Sequence, residues 1–211
     1  MPKTKEQFDA MKMASIENIR DAGVKLFAKK GLAGTSINEI AKEAGISIGL
    51  MYHYYKSKEE LYIELVKFAL TTANELLKQL LETKDMSPGK KIETFTKNML
   101  DGLNNDGDSA PYYFALIDQS LLSNNIYKIT GTDESLVFES YHTLQLIIRE
   151  GQRTGDIKNG DARSLTTLYL SAIHGLCFFK LTTGDYFSLP ESSWINEILI
   201  NKQQILWKRK K

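Results

Sequence analysis

The sequence has 211 residues but only one cysteine and three histidines. A single cysteine, Cys177, excludes an intramolecular disulfide, and its place in the apolar run 176–179 predicts a small buried side chain. With so few histidines and no close spacing of ligand residues, we expect no metal site and no cofactor. Segment 104–108 has the composition of a calcium-binding loop, but its glycine is misplaced and the closing glutamate is missing, so a loop between helices is expected.

An excess of charge of one sign is also missing, because 27 Lys and Arg stand against 26 Asp and Glu. Any electrostatic attraction to nucleic acid must therefore be local. The most apolar run, 168–179, is interrupted by Ser171 and His174 and is shorter than the ~20 residues of a membrane span. The first nine residues lack the apolar core of a signal peptide. We expect a cytoplasmic protein with no membrane partner.

Strand-like alternation is scarce, whereas helical periodicity runs through nearly every segment. The sequence therefore predicts an all-α fold of about nine helices. Ser15 and Gly31 are predicted to bound the first helix, and capping boxes at 36–39 and 57–60 open two others. Three short helices are followed by longer ones. We divide the chain into an N-terminal arm (1–14), a three-helix domain (15–56) and a C-terminal helical domain (57–211).

Residues 36–54 have the pattern of a helix-turn-helix, in which the second helix enters the major groove of DNA. The small residues Ala41 and Ala44 allow a close helix crossing, Gly45 supplies a left-handed turn, and Ile46 fills the junction. The start of the second helix is expected to face base edges, and glycine there lets the backbone approach DNA. The base-facing residues are Ser47, Ile48, Gly49 and Leu50.

Hydrogen-bond donors follow where a phosphate backbone would pass. They are the side chains of Tyr52, His53, Tyr54, Lys56 and Lys58, together with the N–H groups that open the helix at Lys58. Between residues 45 and 58 there are two lysines and no acidic residue. This stretch supplies the local positive charge that the neutral composition conceals.

The same stretch contains a Gly-x-Ser-x-Gly pattern at 45–49, which is typical of the nucleophile elbow of hydrolases. That elbow needs a strand before the serine and a sheet beneath it, whereas an amphipathic helix precedes Ser47. We interpret Ser47 as a helix cap and expect no catalytic residue and no enzyme. Three alternatives remain open: an ordinary helical corner with Tyr52 and Tyr55 in the core, a recombinase or nuclease targeted by this motif, and an all-α enzyme for hydrophobic substrates.

The matching positions extend well beyond the turn. They include Ile19, Ala22, Leu26, Phe27, Lys30, Gly31, Thr35, Ile40, Ala44, Gly49, Tyr52, Tyr54, Lys58 and Leu61. In these residues, the segment from about 15 to 65 resembles the DNA-binding domain of the TetR family of transcriptional regulators. The resemblance implies that Thr35, Ser36, Ser47, Tyr52, His53 and Lys58 lie at phosphate-contacting positions, and Ile48, Gly49 and Leu50 at base-facing ones.

Three positions depart from the family pattern. Ile48 replaces a frequent Lys or Arg, Leu50 a frequent Thr or Ser, and Tyr55 the usual Phe. An apolar tip cannot make the bidentate contact to guanine that Arg or Lys makes, but it can contact thymine methyl groups. The sequence therefore predicts a preference for A/T at this position of the half-site.

The resemblance further implies a homodimer that binds double-stranded DNA as a repressor of a palindromic operator and is released by a small apolar or amphipathic effector. Two apolar stripes could form the dimer interface, or they could pack within one chain: Leu165, Leu168, Tyr169, Ala172 and Leu176, and Ile195, Ile198, Leu199, Ile205 and Leu206. Candidate effector contacts, each of which could instead belong to the core, are Phe68, Phe95, Phe114, Phe138, Tyr141, His142, Gln145, His174 and Phe178. The basic tail 207–211 could touch DNA or remain solvated.

Overall fold

The computed structural model describes residues 4–104, 109–123 and 134–201. Over these ranges the chain forms nine α-helices and one short 3₁₀ turn, in agreement with the predicted all-α fold. The α-helices are α1 (Lys5–Lys30), α2 (Ile37–Glu43), α3 (Ile48–Tyr54), α4 (Lys58–Glu82), α5 (Pro88–Asn104), α6 (Ala110–Leu122), α7 (Glu134–Thr154), α8 (Ala162–Thr183) and α9 (Ser192–Asn196).

The chain divides into two compact units. The first falls within 1–69 and 112–131, and the second within 70–111 and 132–211. The boundary that the sequence predicts at residue 56 therefore lies inside the first unit. Residues 105–108 of the predicted loop and all of the basic tail 207–211 lie outside the described residues.

Helix α1 begins at Lys5 and not after Ser15. Thr4 accepts a hydrogen bond from the backbone N–H of Gln7 at 3.3 Å, and the Gln7 side chain accepts one from the Thr4 N–H at 3.1 Å. This reciprocal capping box starts the helix, whereas Ser15 lies mid-helix and donates to the Met11 carbonyl at 2.9 Å. The segment predicted as an arm is thus helical from Lys5 onward, and its side chains are exposed as far as Ala14.

The core of the first unit is built from the inward faces of its helices. Ile19, Phe27, Ile40, Met51 and Leu61 are fully buried. The ring of Phe27 meets the ring of Tyr62 edge-on, with the centroids 5.2 Å apart. This packing holds the two short helices α2 and α3 against a framework of two long ones.

The second unit packs α5, α7, α8 and α9 around a small polar centre. The Thr96 hydroxyl lies 2.7 Å from that of Tyr169 and within hydrogen-bond distance of the Asn196 side chain. All three residues are buried, and burial raises the pKa of the Tyr169 phenol. A buried, mutually satisfied network of this kind fixes the register of α8 against α5.

The chain after α9 differs from the predicted helical stripe. Helix α9 ends at Asn196, and the next residues pair with the segment before α8: the N–H of Lys158 donates to the Leu199 carbonyl at 2.8 Å, and the N–H of Asn201 to the Asp156 carbonyl at 2.9 Å. Leu199 is fully buried by this pairing. Periodicity alone could not separate this buried turn from a continuing helix.

Helix α8 is long and apolar enough to cross a membrane by length and composition alone. The predicted run 168–179 is therefore part of a longer apolar helix. One side of this helix packs into the second unit through Ala162, Thr166, Tyr169, Ile173 and Cys177, spaced three or four residues apart. Its other side carries large apolar residues that the described chain leaves exposed.

Candidate nucleic-acid interface

The two short helices of the first unit meet in the predicted geometry. Gly45 has φ 65°, a left-handed conformation that glycine adopts without strain. The N–H of Ile46 donates to the Ala41 carbonyl at 3.0 Å, and the N–H of Gly45 to that of Lys42 at 3.2 Å. These bonds end α2 and turn the chain at once into α3, as a helix-turn-helix requires.

Both helices begin at serine caps. The Ser36 hydroxyl accepts from the N–H of Glu39, and the Glu39 carboxylate accepts from the Ser36 N–H at 2.9 Å. Hydrogen bonds from Lys30 and Ser36 lower the pKa of Glu39 to about 2. The Ser47 hydroxyl accepts from the Leu50 N–H at 3.2 Å. Ser47 is therefore the N-cap of α3, as predicted.

Helix α3 exposes one face, which we call the reading face and define as Ile48, Gly49, Tyr52 and His53. All four are exposed, with 48% of Ile48 and 53% of Tyr52 accessible. Residues four apart lie above one another on a helix, so Ile48 aligns with Tyr52 and Gly49 with His53. Leu50, predicted to face bases, is half-buried instead, as is Tyr54. Met51, on the opposite side, is fully buried and anchors the helix.

Thr35 and Lys58, two residues at the phosphate-contacting positions that the resemblance implies, have side chains directed inward. Thr35 is 2% exposed, and its hydroxyl donates to the Gly31 carbonyl at 2.8 Å. The Lys58 ammonium donates to the carbonyls of Leu32 and Thr35 at 2.8 and 2.7 Å. Lys58 therefore clamps the α1–α2 turn to the start of α4, which leaves one of its three N–H groups for another acceptor.

Beside this clamp lies an open groove that an anion could enter. Its lining includes Ser36, Tyr52, Lys56 and Lys58. Lys56 is exposed, and its backbone N–H is bound by the Glu60 carboxylate at 2.7 Å. The Ser57 hydroxyl accepts a hydrogen bond from the N–H of Glu60 at 3.2 Å, as the predicted second capping box requires. The Glu60 carboxylate, however, accepts from the N–H of Lys56 and not from that of Ser57. The groove thus joins two helix starts and two lysines, and the acidic residue Glu59 also lines it.

A polar cluster behind α3 escaped the sequence analysis. The Tyr55 hydroxyl donates to Glu64 Oε1 at 3.1 Å, and Arg20 Nε donates to the same oxygen at 2.7 Å. Burial and the Glu64 charge raise the pKa of Tyr55 to about 12. These bonds tie the end of α3 to α1 and α4. The one sequence signal was the tyrosine at a position where the family usually has phenylalanine, which cannot make this bond.

The candidate effector residues are spread between core and surface. Phe95 is buried against Tyr169, and the Tyr141 hydroxyl lies 3.2 Å from both the Arg163 carbonyl and the Thr167 hydroxyl. Phe138, His142 and Phe178 are exposed and line no interior of the described chain. Phe68 belongs to the first unit, where its ring lies 5.6 Å from that of Tyr113. Phe114, Gln145 and His174 are partly buried.

The candidate dimer residues are likewise divided between the core and the surface. Tyr169 and Leu199 are fully buried and Ile195 is 8% exposed, so these three have little surface to offer a partner. Leu168 is 60% exposed, and Leu165, Ala172, Leu176 and Ile198 are partly exposed. Ile205 and Leu206 lie outside the described residues. In the ranges that the structure covers, no group of three or more His, Cys, Asp or Glu residues is arranged to hold a metal ion.

Residues 19–65 match the family of bacterial regulatory proteins described as the tetR family. The chain is 30% identical over 126 residues to the uncharacterized HTH-type transcriptional regulator YerO of Bacillus subtilis (strain 168), a match that covers 57% of this chain and 43% of that protein. It is 26% identical over 144 residues to the fatty acid metabolism regulator protein of the same organism, covering 67% of this chain and 70% of that one.

Among solved structures, the MbdR regulator from Azoarcus sp. CIB has a TM-score of 0.71 at 21% identity, and the match covers 89% of this chain and 97% of that one. At this identity the likeness shows the shared fold. Residues 19–65 therefore form a helix-turn-helix domain similar to the DNA-binding domain of tetR-family regulatory proteins.

Proposed function

We propose that this protein is a homodimeric repressor that binds a palindromic operator and is released by a small apolar or amphipathic effector. The observation that carries the DNA-binding part is the reading face of α3, whose exposed residues stand beside a groove with two lysines. DNA binding requires no catalytic residue. It requires a helix whose shape fits the major groove and hydrogen-bond donors for the flanking phosphates.

The homodimer is supported by the uncovered side of α8. Leu168 and Phe179 are exposed there, Ala172 is partly exposed, and a Cβ placed on Gly175 would meet nothing within 4 Å. Large exposed apolar patches mark interaction surfaces, and small residues between larger ones permit close helix packing. A second copy of the chain would cover this side, and a two-fold dimer would present two reading faces to two half-sites.

The effector is supported by the aromatic content of the second unit and by one relative that is named a fatty acid metabolism regulator. An acyl chain or a similar apolar molecule would suit a pocket with few polar groups. Its binding would release DNA if it favoured a state in which the spacing of the two reading faces no longer fits the operator. Cytoplasmic localisation follows from this role.

Selection of binding sites from random duplex DNA tests the proposal. The full-length protein is expected to enrich a two-fold-symmetric consensus whose binding weakens steeply with salt. Enrichment of an asymmetric sequence would contradict the palindromic operator, and failure to bind any duplex at low salt would overturn DNA binding itself. Fatty acids of graded chain length, added to the selected complex, then test the effector class.

A further inference from the structure

The reading face carries no charged side chain. Of its four residues, Tyr52 and His53 offer one hydroxyl and one imidazole, Gly49 offers only backbone, and Ile48 offers an apolar tip. The next exposed lysine along the chain, Lys56, lies beyond the end of α3. The first turn of α3, which enters deepest in a helix-turn-helix, therefore presents hydrocarbon to the base edges.

The major groove displays one apolar group, the C5-methyl of thymine, among acceptors and amino donors. Ile48 suits this group in three respects. It is the first residue of α3, it is 48% exposed and so projects from the surface, and its neighbour Gly49 has open space where a Cβ would stand, which permits close approach. Leu50 is half-buried and its N–H is bound to Ser47, so Ile48 alone supplies the exposed apolar contact in this turn.

We infer that Ile48 is a specificity-determining residue that recognises the C5-methyl group of a thymine in each half-site. This inference rests on the proposed binding of DNA through α3. The recognised feature is the methyl group and not the hydrogen-bonding pattern of the A·T pair. A cytosine that carries a C5-methyl group would therefore be accepted better than unmodified cytosine at the same position.

The test uses the full-length protein and the duplex obtained by selection. Each dT of a half-site is replaced in turn by deoxyuridine, which removes the C5-methyl and leaves the base pair intact. At one symmetric position the affinity is expected to fall about fourfold per half-site, the factor for losing one buried methyl-sized group. At that position, dC should also bind more weakly than dT, and 5-methyl-dC should recover part of the loss.

The Ile48→Ala variant identifies the contacting side chain. It is expected to bind the dT and deoxyuridine duplexes equally, because the partner of the methyl group is gone. Ile63→Ala, which truncates an exposed isoleucine of α4, should retain the fourfold difference. Because Ile48 lies on the exposed face of α3, its truncation should leave the unfolding midpoint nearly unchanged.

The possible outcomes distinguish a failure of methyl recognition by Ile48 from a failure of DNA binding itself. Specific binding with no deoxyuridine effect at any position would overturn methyl recognition and leave the DNA-binding proposal intact. A deoxyuridine effect that persists in Ile48→Ala would overturn the assignment to this residue. Failure of the wild-type protein to bind any duplex would overturn both.

Discussion

Two glycines in the helix-turn-helix have different roles at the scale of single residues. Gly45 needs its φ of 65°, whereas Gly49 is helical and has open space around its Cβ position. Gly49→Ala is expected to raise the free energy of unfolding by up to about 1 kcal/mol, because alanine favours the helix. The same methyl group should weaken DNA binding, since it would stand between the backbone and the base edges.

Urea unfolding and fluorescence anisotropy with the selected duplex measure the two effects separately. Gly45→Ala is the control, because a Cβ in the left-handed region costs about 1–2 kcal/mol and should lower stability. If Gly49→Ala bound DNA as tightly as the wild type, α3 would not approach the bases in the proposed way.

The two lysines of the groove form a second matched pair. Lys58 donates to two backbone carbonyls, so Lys58→Met is expected to lower the free energy of unfolding by about 2 kcal/mol.

Exposed Lys56 should contribute little to stability and more to phosphate binding. Lys56→Met is expected to leave the urea midpoint unchanged and to reduce the slope of log K against log salt by about 0.9 for each phosphate that the lysine neutralises. A loss of stability in Lys56→Met with none in Lys58→Met would refute these roles.

At the scale of elements, the charge of Glu39 stabilises the start of α2. Its pKa is about 2, below the ordinary value of 4.5, because Lys30 and Ser36 bind the ionised carboxylate. A lowered pKa gives a contribution that is complete above pH 4.5 and is lost as the pH falls through 2. Glu39→Gln keeps a capping side chain but loses this charge. The wild type should therefore be more stable than the variant at pH 7.

The difference between wild type and Glu39→Gln, followed by urea unfolding at each pH, is expected to shrink steadily from pH 4.5 toward pH 2. Glu43→Gln removes another exposed carboxylate of α2 and controls for net charge. A difference that stayed constant over this range would mean that the charge of Glu39 does not stabilise the helix.

Elements set by local chemistry can be predicted from the sequence, and those set by tertiary contacts cannot. The caps at Ser36 and Ser47 and the left-handed Gly45 involve residues a few positions apart, and the sequence predicts all three. The start of α1 differs from the prediction although Thr4 and Gln7 form an equally local box, because the apolar pattern begins only further along.

The candidate site shows the same division. The exposure of Ile48 and Gly49 follows from their positions on the helix. The inward direction of Lys58 instead depends on the carbonyls of a turn 23 to 26 residues away. The burial of Leu199 likewise depends on pairing with the segment before α8. Neither distant partner leaves a periodic signal in the sequence.

At the scale of the whole molecule, the proposed function requires a dimer, and we propose that it forms through α8. Leu168→Glu places a charge on its exposed apolar side and is expected to convert the dimer to a monomer, because an unpaired charge in an interface is strongly unfavourable. Sedimentation velocity measures the change. Leu122→Glu, at a leucine of α6 that is 86% exposed, should leave the dimer intact. A Leu168→Glu variant that remained dimeric would place the interface elsewhere.

We propose that two copies of α3 bind one DNA site. Hydroxyl-radical footprinting of the selected duplex tests this, because it shows where each copy shields the backbone. Two equivalent protected regions are expected, related by two-fold symmetry and centred about one helical turn, or a multiple of it, apart. A single protected region, or two regions that are not related by two-fold symmetry, would argue against this arrangement.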